Sequence, residues 1–215
     1  MKENKVHGSC PWKDGFLFVG NNLALDFVNT RPVIDGEPAE LLPDLAAVLR
    51  WFQVAGWLSS RDAGNLRKKW CNSEAATAVV KHLQTWRERL RSAVFTWEAG
   101  HALPRSTVED LNRLMAEFPV LSRLALSGRN LVCESWFRPQ TPDGLFAPLA
   151  HSAAALFARG DRSRVRCCGN CVLHFLDTSK KGTRRWCSME LCGNRLKVAA
   201  YAARQRKAKS YEVLG

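Results

Sequence analysis

The chain has 215 residues, enough for one domain with a hydrophobic core and a small appended module. Hydrophobic residues make up 46% of the sequence, which is typical of a globular protein and excludes a disordered chain. Because no run of about 18 apolar residues occurs and residues 1–15 contain no apolar signal segment, we expect a cytoplasmic protein without a membrane span.

The formal net charge of +12 is concentrated near the C-terminus. Between Asp161 and Lys209, 13 basic residues stand against three acidic ones, giving +10, whereas the remainder of the chain carries +2. A basic tail beside a nearly neutral body indicates that a polyanion binds the tail. The alternative is a charge excess that only aids solubility.

The first elements in chain order are predicted to be short. Residues 16–19 favour a strand, and residues 21–30 place apolar side chains at helical spacing. A loop over residues 31–42 follows, because this stretch contains two prolines and a glycine. Pro43 is predicted to open a helix at its first turn, and Gly56 is predicted to close it.

Longer elements follow. Ser73 is predicted to cap a helix that runs to about Ala99, and the run from Ser106 to Glu109 has the pattern of a capping box. Gly128 marks the turn of an antiparallel hairpin, and residues 145–158 form a helix of small residues. The predicted fold class is therefore α+β, a mainly helical N-terminal domain over residues 1–160 with a small antiparallel β element, followed by a separate module over residues 161–215.

Four cysteines in that module have the spacing of a zinc site. Cys168 and Cys171 lie on one tight turn, and Cys187 and Cys192 follow after fifteen intervening residues. Zinc takes four such ligands in a tetrahedron, and four thiolates leave no open position for water or substrate. We therefore predict one structural Zn²⁺ that holds together a segment too small to bury its own core, with a redox dithiol as the alternative.

The first zinc ligand has two candidates. Cys167 and Cys168 are adjacent, and two residues between paired ligands is the commoner geometry, which favours Cys168. His174 is close enough in sequence to be a ligand, but four thiolates already fill the site.

After Cys192 the pattern predicts a helix that runs to about Lys209. One face of this helix is alanine-rich and can pack, whereas another face presents cations and a phenol. Together with two arginines of the preceding turn and one beside the last ligand, this face gives the predicted nucleic-acid contacts: Arg184, Arg185, Arg195, Lys197, Tyr201 and Arg204.

Two sequence motifs resemble known families. The segments 175–179, 184–189 (Arg-Arg-Trp-Cys-Ser-Met) and 192–197 (Cys-Gly-Asn-Arg-Leu-Lys) closely resemble the CGNR zinc finger. The segment 23–30, Leu-Ala-Leu-Asp-Phe-Val-Asn-Thr, resembles the ABATE domain that precedes this finger in bacterial proteins. The resemblance implies a treble-clef-like finger and a stress-linked transcriptional regulator. One departure is residues 172–174, Val-Leu-His, where a Gly-Trp-like pair is expected.

The favoured function is a DNA-binding transcription regulator, in which basic residues contact phosphates and Arg195 and Arg204 are the candidates for reading a base edge. Arg195 alternatively stabilises the second cysteine turn, and Trp186 is interpreted as core rather than as a stacking platform. The alternative function is an RNA-binding or protein-docking finger, because fold does not fix function.

An enzymatic role is not expected. Asp26 and Asn29 of the N-terminal motif are the candidate catalytic residues, but no nucleophile, phosphate loop or open metal site accompanies them in the sequence. The N-terminal domain is expected to bind a small-molecule ligand or to form a homodimer. Because it has its own helical stripes, we also predict that it unfolds independently of the finger.

Overall fold

The computed structural model describes residues 11–71 and 73–193. Over these residues helices build most of the N-terminal domain, and the strands form two-stranded antiparallel sheets, which confirms the predicted α+β class. The α-helices are α1 (Leu23–Val28), α2 (Leu45–Val54), α3 (Ser60–Trp70), α4 (Glu74–Glu98), α5 (Arg105–Glu117) and α6 (Phe146–Arg159). The paired strands are β1 (Trp12–Lys13) with β2 (Phe16–Leu17), β3 (Val33–Ile34) with β4 (Glu37–Pro38), β5 (Leu121–Ser127) with β6 (Asn130–Trp136), and β7 (Val165–Cys167) with β8 (His174–Leu176).

The longest helix, α4, begins and ends as its sequence predicts. Ser73 accepts a hydrogen bond from the backbone N–H of Ala76 at 3.3 Å, which satisfies one of the free donors of the first turn. At the other end Gly100 has a φ of +95°, a conformation that glycine adopts without strain. The buried side chains of α4 recur every three or four residues and face the core.

Two predicted helix starts are wrong. Helix α2 begins at Leu45 rather than Pro43, because Asp44 is the N-cap and accepts a hydrogen bond from Ala47 N–H at 2.7 Å. Helix α5 begins at Arg105, one residue before the predicted capping box. Its N-cap position is a proline whose φ of −56° already suits a helix, so the chain turns helical without a side-chain cap.

The predicted hairpin is present as β5 and β6, joined by a two-residue turn at Gly128 and Arg129. Gly128 has a φ of +62°, which explains why glycine occupies this turn. Residue pairing is regular from Leu121↔Trp136 to Ser127↔Asn130.

The main core lies between α1, α2, α4 and α6 and contains buried aromatic side chains. Trp51 is fully buried and contacts Phe27 edge-on at a ring-centroid distance of 5.9 Å. Arg87 is also buried, and its guanidinium pairs with Glu40 and donates to the hydroxyl of Thr30 at 2.9 Å. A buried charge with these partners is satisfied and belongs to the scaffold.

A second, smaller core joins the two ends of the described chain. Leu17 and Val19 pack there against Leu173, Phe175 and the cysteine cluster. The N-terminal strand pair therefore supplies apolar surface that the C-terminal module lacks. In the described ranges no helix is both long and apolar enough to cross a membrane.

Candidate metal centre and its joint to the helical domain

Four cysteines converge in the C-terminal module. Cys168 and Cys171 flank the turn that connects β7 to β8, and Cys187 and Cys192 come from the segment after β8. Their sulfur atoms all lie within 4.8 Å of one another. Cys168, Cys187 and Cys192 are buried and Cys171 is half-buried, so the cluster has little contact with water.

The spacing of the sulfur atoms fits a tetrahedral zinc ion. Cys187 Sγ lies 3.7 Å from Cys171 Sγ and 3.6 Å from Cys192 Sγ. Four sulfurs at about 2.3 Å from one metal ion would be about 3.8 Å apart, so these separations match the edges of that tetrahedron. A disulfide would need a sulfur–sulfur distance of about 2 Å.

The ionisation of the cluster also calls for a cation. Hydrogen bonds from the Cys171 and Cys187 thiols lower the pKa of Cys168 strongly. Donating to that thiolate raises the pKa of Cys171 to about 12 and raises the pKa of Cys187 as well. Thiolates this close repel one another, and a dication is what allows four of them to coexist.

The two other candidate ligands lie outside the cluster. Cys167 Sγ is directed at the carbonyl oxygens of Cys168 and Cys171, at 3.9 and 3.8 Å. His174 is fully buried against Phe95, with ring centroids 4.4 Å apart, and burial lowers its pKa to about 4. Its imidazole is therefore neutral at pH 7 and serves as core.

Around the metal cluster, three arginines stabilise the finger itself. Arg164, Arg166 and Arg184 donate hydrogen bonds of 2.8–3.1 Å to backbone carbonyls of the 177–187 loop. The guanidinium of Arg184 also lies 4.5 Å from the centre of the Phe175 ring, and its own pKa is lowered by burial. Much of the hydrogen-bonding capacity of these three cations is thus used within the finger.

Trp186 covers the two tight cysteine turns. A Cβ on Gly169 would lie 3.1 Å from the Trp186 ring, and a Cβ on Gly193 would lie 2.5 Å from Met189 Sδ. At Gly169 a larger residue would require the indole ring to shift, whereas at Gly193 the flexible end of Met189 can move aside and Trp186 Cδ1 lies 3.5 Å from the same position. This contact favours the core interpretation of Trp186 over a stacking platform.

The finger is attached to the helical domain by a set of hydrogen bonds that we call the joint. The Asn29 side chain donates to the carbonyl of His174 at 2.7 Å and accepts from His174 N–H at 2.8 Å, so it pairs with β8 as a neighbouring strand would. Leu176 makes two further bonds, to Gly20 and Asn21. On the other strand of the finger, β7, the N–H of Cys167 donates a hydrogen bond of 2.7 Å to the carboxylate of Glu98, at the end of α4.

Asp26 holds the turn at Gly20, which leads into the joint. Its buried carboxylate accepts a hydrogen bond from Gly20 N–H at 2.7 Å. Burial raises the pKa of Asp26 from its ordinary value of 3.8 to about 7, although backbone hydrogen bonds from Gly20 and Val19 oppose the shift. A Cβ on Gly20 would lie 2.7 Å from the Asp26 backbone nitrogen, so the turn and the helix are packed directly together.

Family comparisons agree with this arrangement. Residues 21–160 match the ABATE family, which is described as a "Putative stress-induced transcription regulator". The chain belongs to the ABATE family. Residues 164–205 match the CGNR zinc finger, and with the four-cysteine cluster this means that the protein holds one structural zinc ion. No curated protein matches the chain.

The ABATE motif at residues 23–30 can now be given a structural role. Thr30 closes α1 by donating to the carbonyl of Phe27 at 2.7 Å. Asn29 holds the CGNR finger, a role that sequence reasoning missed because its partner lies 145 residues away. Glu98 was missed for the same reason, since a glutamate at a helix end carries no signal of its own.

The predicted nucleic-acid residues divide into two groups. Arg185 is exposed and lies over the Trp186 ring, whereas Arg184 is engaged within the finger. The remaining residues and the predicted helix after Cys192 fall outside the described part of the chain: Arg195, Lys197, Tyr201 and Arg204. Their nucleic-acid contacts therefore stay predictions.

The ABATE domain also has an open cleft of about 550 Å³ between α4 and α5, a volume within the usual range for ligand sites. Trp86 lies at its floor and donates to Asp110 at 3.1 Å. Charged groups of both signs line the cleft, and Asp110 pairs with Arg113 at 2.8 Å and with Arg89 at 3.4 Å. These pairs leave the cleft with weak preference for a charged ligand.

Proposed function

We propose that this protein is a DNA-binding transcription regulator whose CGNR finger contacts the duplex. The observation that carries the proposal is the charge division, +10 between Asp161 and Lys209 against +2 elsewhere. In the described part of the finger, Lys180, Lys181 and Arg185 are exposed on a loop that takes no part in the joint. Exposed cations next to a metal-stabilised turn suit phosphate contacts.

The phosphate-binding surface consists of this loop and the basic residues after Cys192. Arg164, Arg166 and Arg184 contribute less, because their donors are used within the finger. Lys197 contributes charge, and Arg204 reads a base edge through its guanidinium fork. Arg195 either shares that role or stabilises the second cysteine turn.

In this proposal the protein acts in the cytoplasm, and its ABATE domain fixes the orientation of the finger and brings two copies of the chain together. The domain performs no catalysis. Four thiolate ligands leave the metal without a position for substrate. The polar residues Asp26 and Asn29 of its motif are also committed to structure, Asp26 to Gly20 and Asn29 to β8. A ligand-sensing role for the cleft has less support, because Arg89 and Arg113 at its rim are already paired with Asp110.

The test is binding of the zinc-loaded full chain to duplex DNA at several salt concentrations. If roughly five to seven cations meet phosphates, the logarithm of affinity falls against the logarithm of salt concentration with a slope near −5 to −6. Replacing Lys180, Lys181 and Arg185 with Gln should weaken binding to every sequence and flatten the slope by about two to three units. The matched control replaces three exposed cations of α3, Arg61, Arg67 and Lys68, and should leave the slope unchanged.

Sequence reading is tested separately with Arg204. Replacing Arg204 with Gln should lower the affinity for the preferred DNA sequence by about 1–3 kcal/mol and reduce the preference for that sequence over others. Replacing Lys197 should instead weaken binding to all DNA sequences alike. A slope near zero, or equal loss in the control variant, would contradict DNA contact by the finger. Tighter binding to RNA of matched sequence than to duplex DNA would support an RNA-binding finger instead.

A further inference from the structure

The β5–β6 hairpin has one face that carries no charge and is fully exposed. In the observed register, alternate residues of the two strands share a face. One face contains Arg123, Glu134 and Trp136 and is partly covered. The other, which we call the neutral face, consists of Ser122, Leu124, Leu126, Leu131, Cys133 and Ser135, all of them exposed.

Three leucines form the centre of the neutral face. Leu124, Leu126 and Leu131 are exposed to 73%, 77% and 69%, and Leu126 lies directly opposite Leu131. Soluble chains seldom leave adjacent leucines this open unless a partner covers them. The hairpin is regular, because its strands pair over their whole length, and it is anchored at its base, where Phe137 is buried against Phe52.

We propose that the neutral face is a homodimer surface, covered by the neutral face of a second copy of this chain. A strongly charged partner would have to bury its charges against the six uncharged side chains of the neutral face, where those charges would find no opposite charge to pair with. Two copies of this chain repel each other mainly through residues 161–209, which carry +10, whereas the remainder carries only +2, so they meet most easily at an uncharged surface of the N-terminal domain. A two-fold contact between identical neutral faces satisfies both conditions.

The size of the neutral face sets the strength of this dimer. Seven-residue strands at about 3.4 Å per residue make a surface roughly 24 Å long and only two strands wide. Such a contact falls below the roughly 800 Å² per partner of a standard stable interface. We therefore expect a dimer that dissociates on dilution, with a Kd in the micromolar range.

This inference deepens the role proposed for the ABATE domain, since a two-fold pair of fingers suits two half-sites on one duplex. It is tested without DNA, so that its failure would leave finger–DNA contact untouched. The zinc-loaded full chain is examined by sedimentation across a micromolar concentration series. The expected result is a reversible monomer–dimer equilibrium.

The deciding variants are neighbours on opposite faces of β5. Leu126→Lys places a charge in the neutral face and should weaken dimerisation by at least about tenfold, whereas Ser127→Lys adds the same charge to the other face and should change it by less than about twofold. Both side chains are exposed, so neither change should disturb folding. Cross-linking with a short bis-maleimide should join two copies through Cys133, near the centre of the face, and Cys133→Ser should abolish that product.

Three results would overturn the proposal. One is a wild-type chain that stays monomeric throughout the series. Another is a dimer that Leu126→Lys and Ser127→Lys weaken equally. The third is wild-type protein that sediments with neutral lipid vesicles through the neutral face, which would identify a membrane surface as the occupant instead.

Discussion

At the scale of single residues, two adjacent cysteines differ in what their sulfur atoms face. Cys168 Sγ belongs to the four-sulfur cluster, whereas Cys167 Sγ is directed at two backbone carbonyls. Replacing Cys168 with Ser should therefore reduce the zinc content of the purified protein from about one ion per chain to nearly none. Replacing Cys167 with Ser should leave the zinc content unchanged. Elemental analysis of both variants decides the matter, and retained zinc in the Cys168 variant would refute the assigned ligand set.

Asp26 predicts a pH dependence of stability. Because folding raises its pKa from 3.8 to about 7, the native state binds more protons than the unfolded state between these values. The free energy of unfolding contributed by this group therefore falls as the pH rises through that window and is constant above it. Asp26→Asn keeps an acceptor for Gly20 but removes the titration. Relative to wild type, the variant should gain stability as the pH rises from about 4 to about 7, by at most about 4 kcal/mol, and keep that gain at higher pH.

Chemical denaturation of both proteins at a series of pH values, with zinc present, measures this difference. Asp35→Asn is the control, because Asp35 is exposed in a turn and its φ of +52° suits asparagine equally well. A stability difference between wild type and Asp26→Asn that does not vary with pH would contradict the raised pKa.

At the scale of elements, the joint makes Asn29 more important than its place at the end of a short helix suggests. Asn29→Ala would leave both the N–H and the carbonyl of His174 without partners in a buried setting, at a cost of about 2–4 kcal/mol. Alanine itself adopts the φ of −76° found there without strain. The matched control is Asn112→Ala, at an exposed position of α5.

Thermal unfolding with zinc present should show a lower midpoint for Asn29→Ala than for Asn112→Ala, and competition with a chelator should show faster zinc loss. Equal midpoints would mean that the joint contributes little to stability. An Asn29→Ser variant, which retains a smaller polar side chain, should fall between the two.

Elements whose signals are local in sequence were predictable. The limits of α4 follow from its apolar spacing, its serine cap and its glycine end, and the metal cluster follows from cysteine spacing alone. The sequence misplaces the first residues of α2 and α5, because a proline such as Pro43 or Pro104 can lie just before a helix as well as at its first position. The joint could not be predicted at all, since its partners are separated by up to 155 residues and each bond uses backbone groups that every residue has.

At the scale of the whole molecule, the ABATE domain and the finger share one apolar surface. Leu17 and Val19 are buried against Leu173 and Phe175, next to the cysteine cluster. The sequence, which shows separate helical stripes, predicts independent unfolding of the two parts. The packing favours coupling instead, because a finger that unfolds would expose side chains of the N-terminal domain and break the bonds of the joint.

Zinc removal distinguishes these outcomes. If the two parts are coupled, a chelator should lower the thermal midpoint of the helical signal, which comes mainly from α1 to α6, as well as unfold the finger. Uncovering Leu17 and Val19 would cost about 1.5–3 kcal/mol for each side chain, which corresponds to a fall of at least about 5 °C in a chain of this size. Circular dichroism melts with and without chelator measure the fall. Cys187→Ser, which cannot complete the metal site, should melt like the chelated wild type in either condition. A midpoint that the chelator leaves unchanged would restore the view that the ABATE domain is stable without its finger.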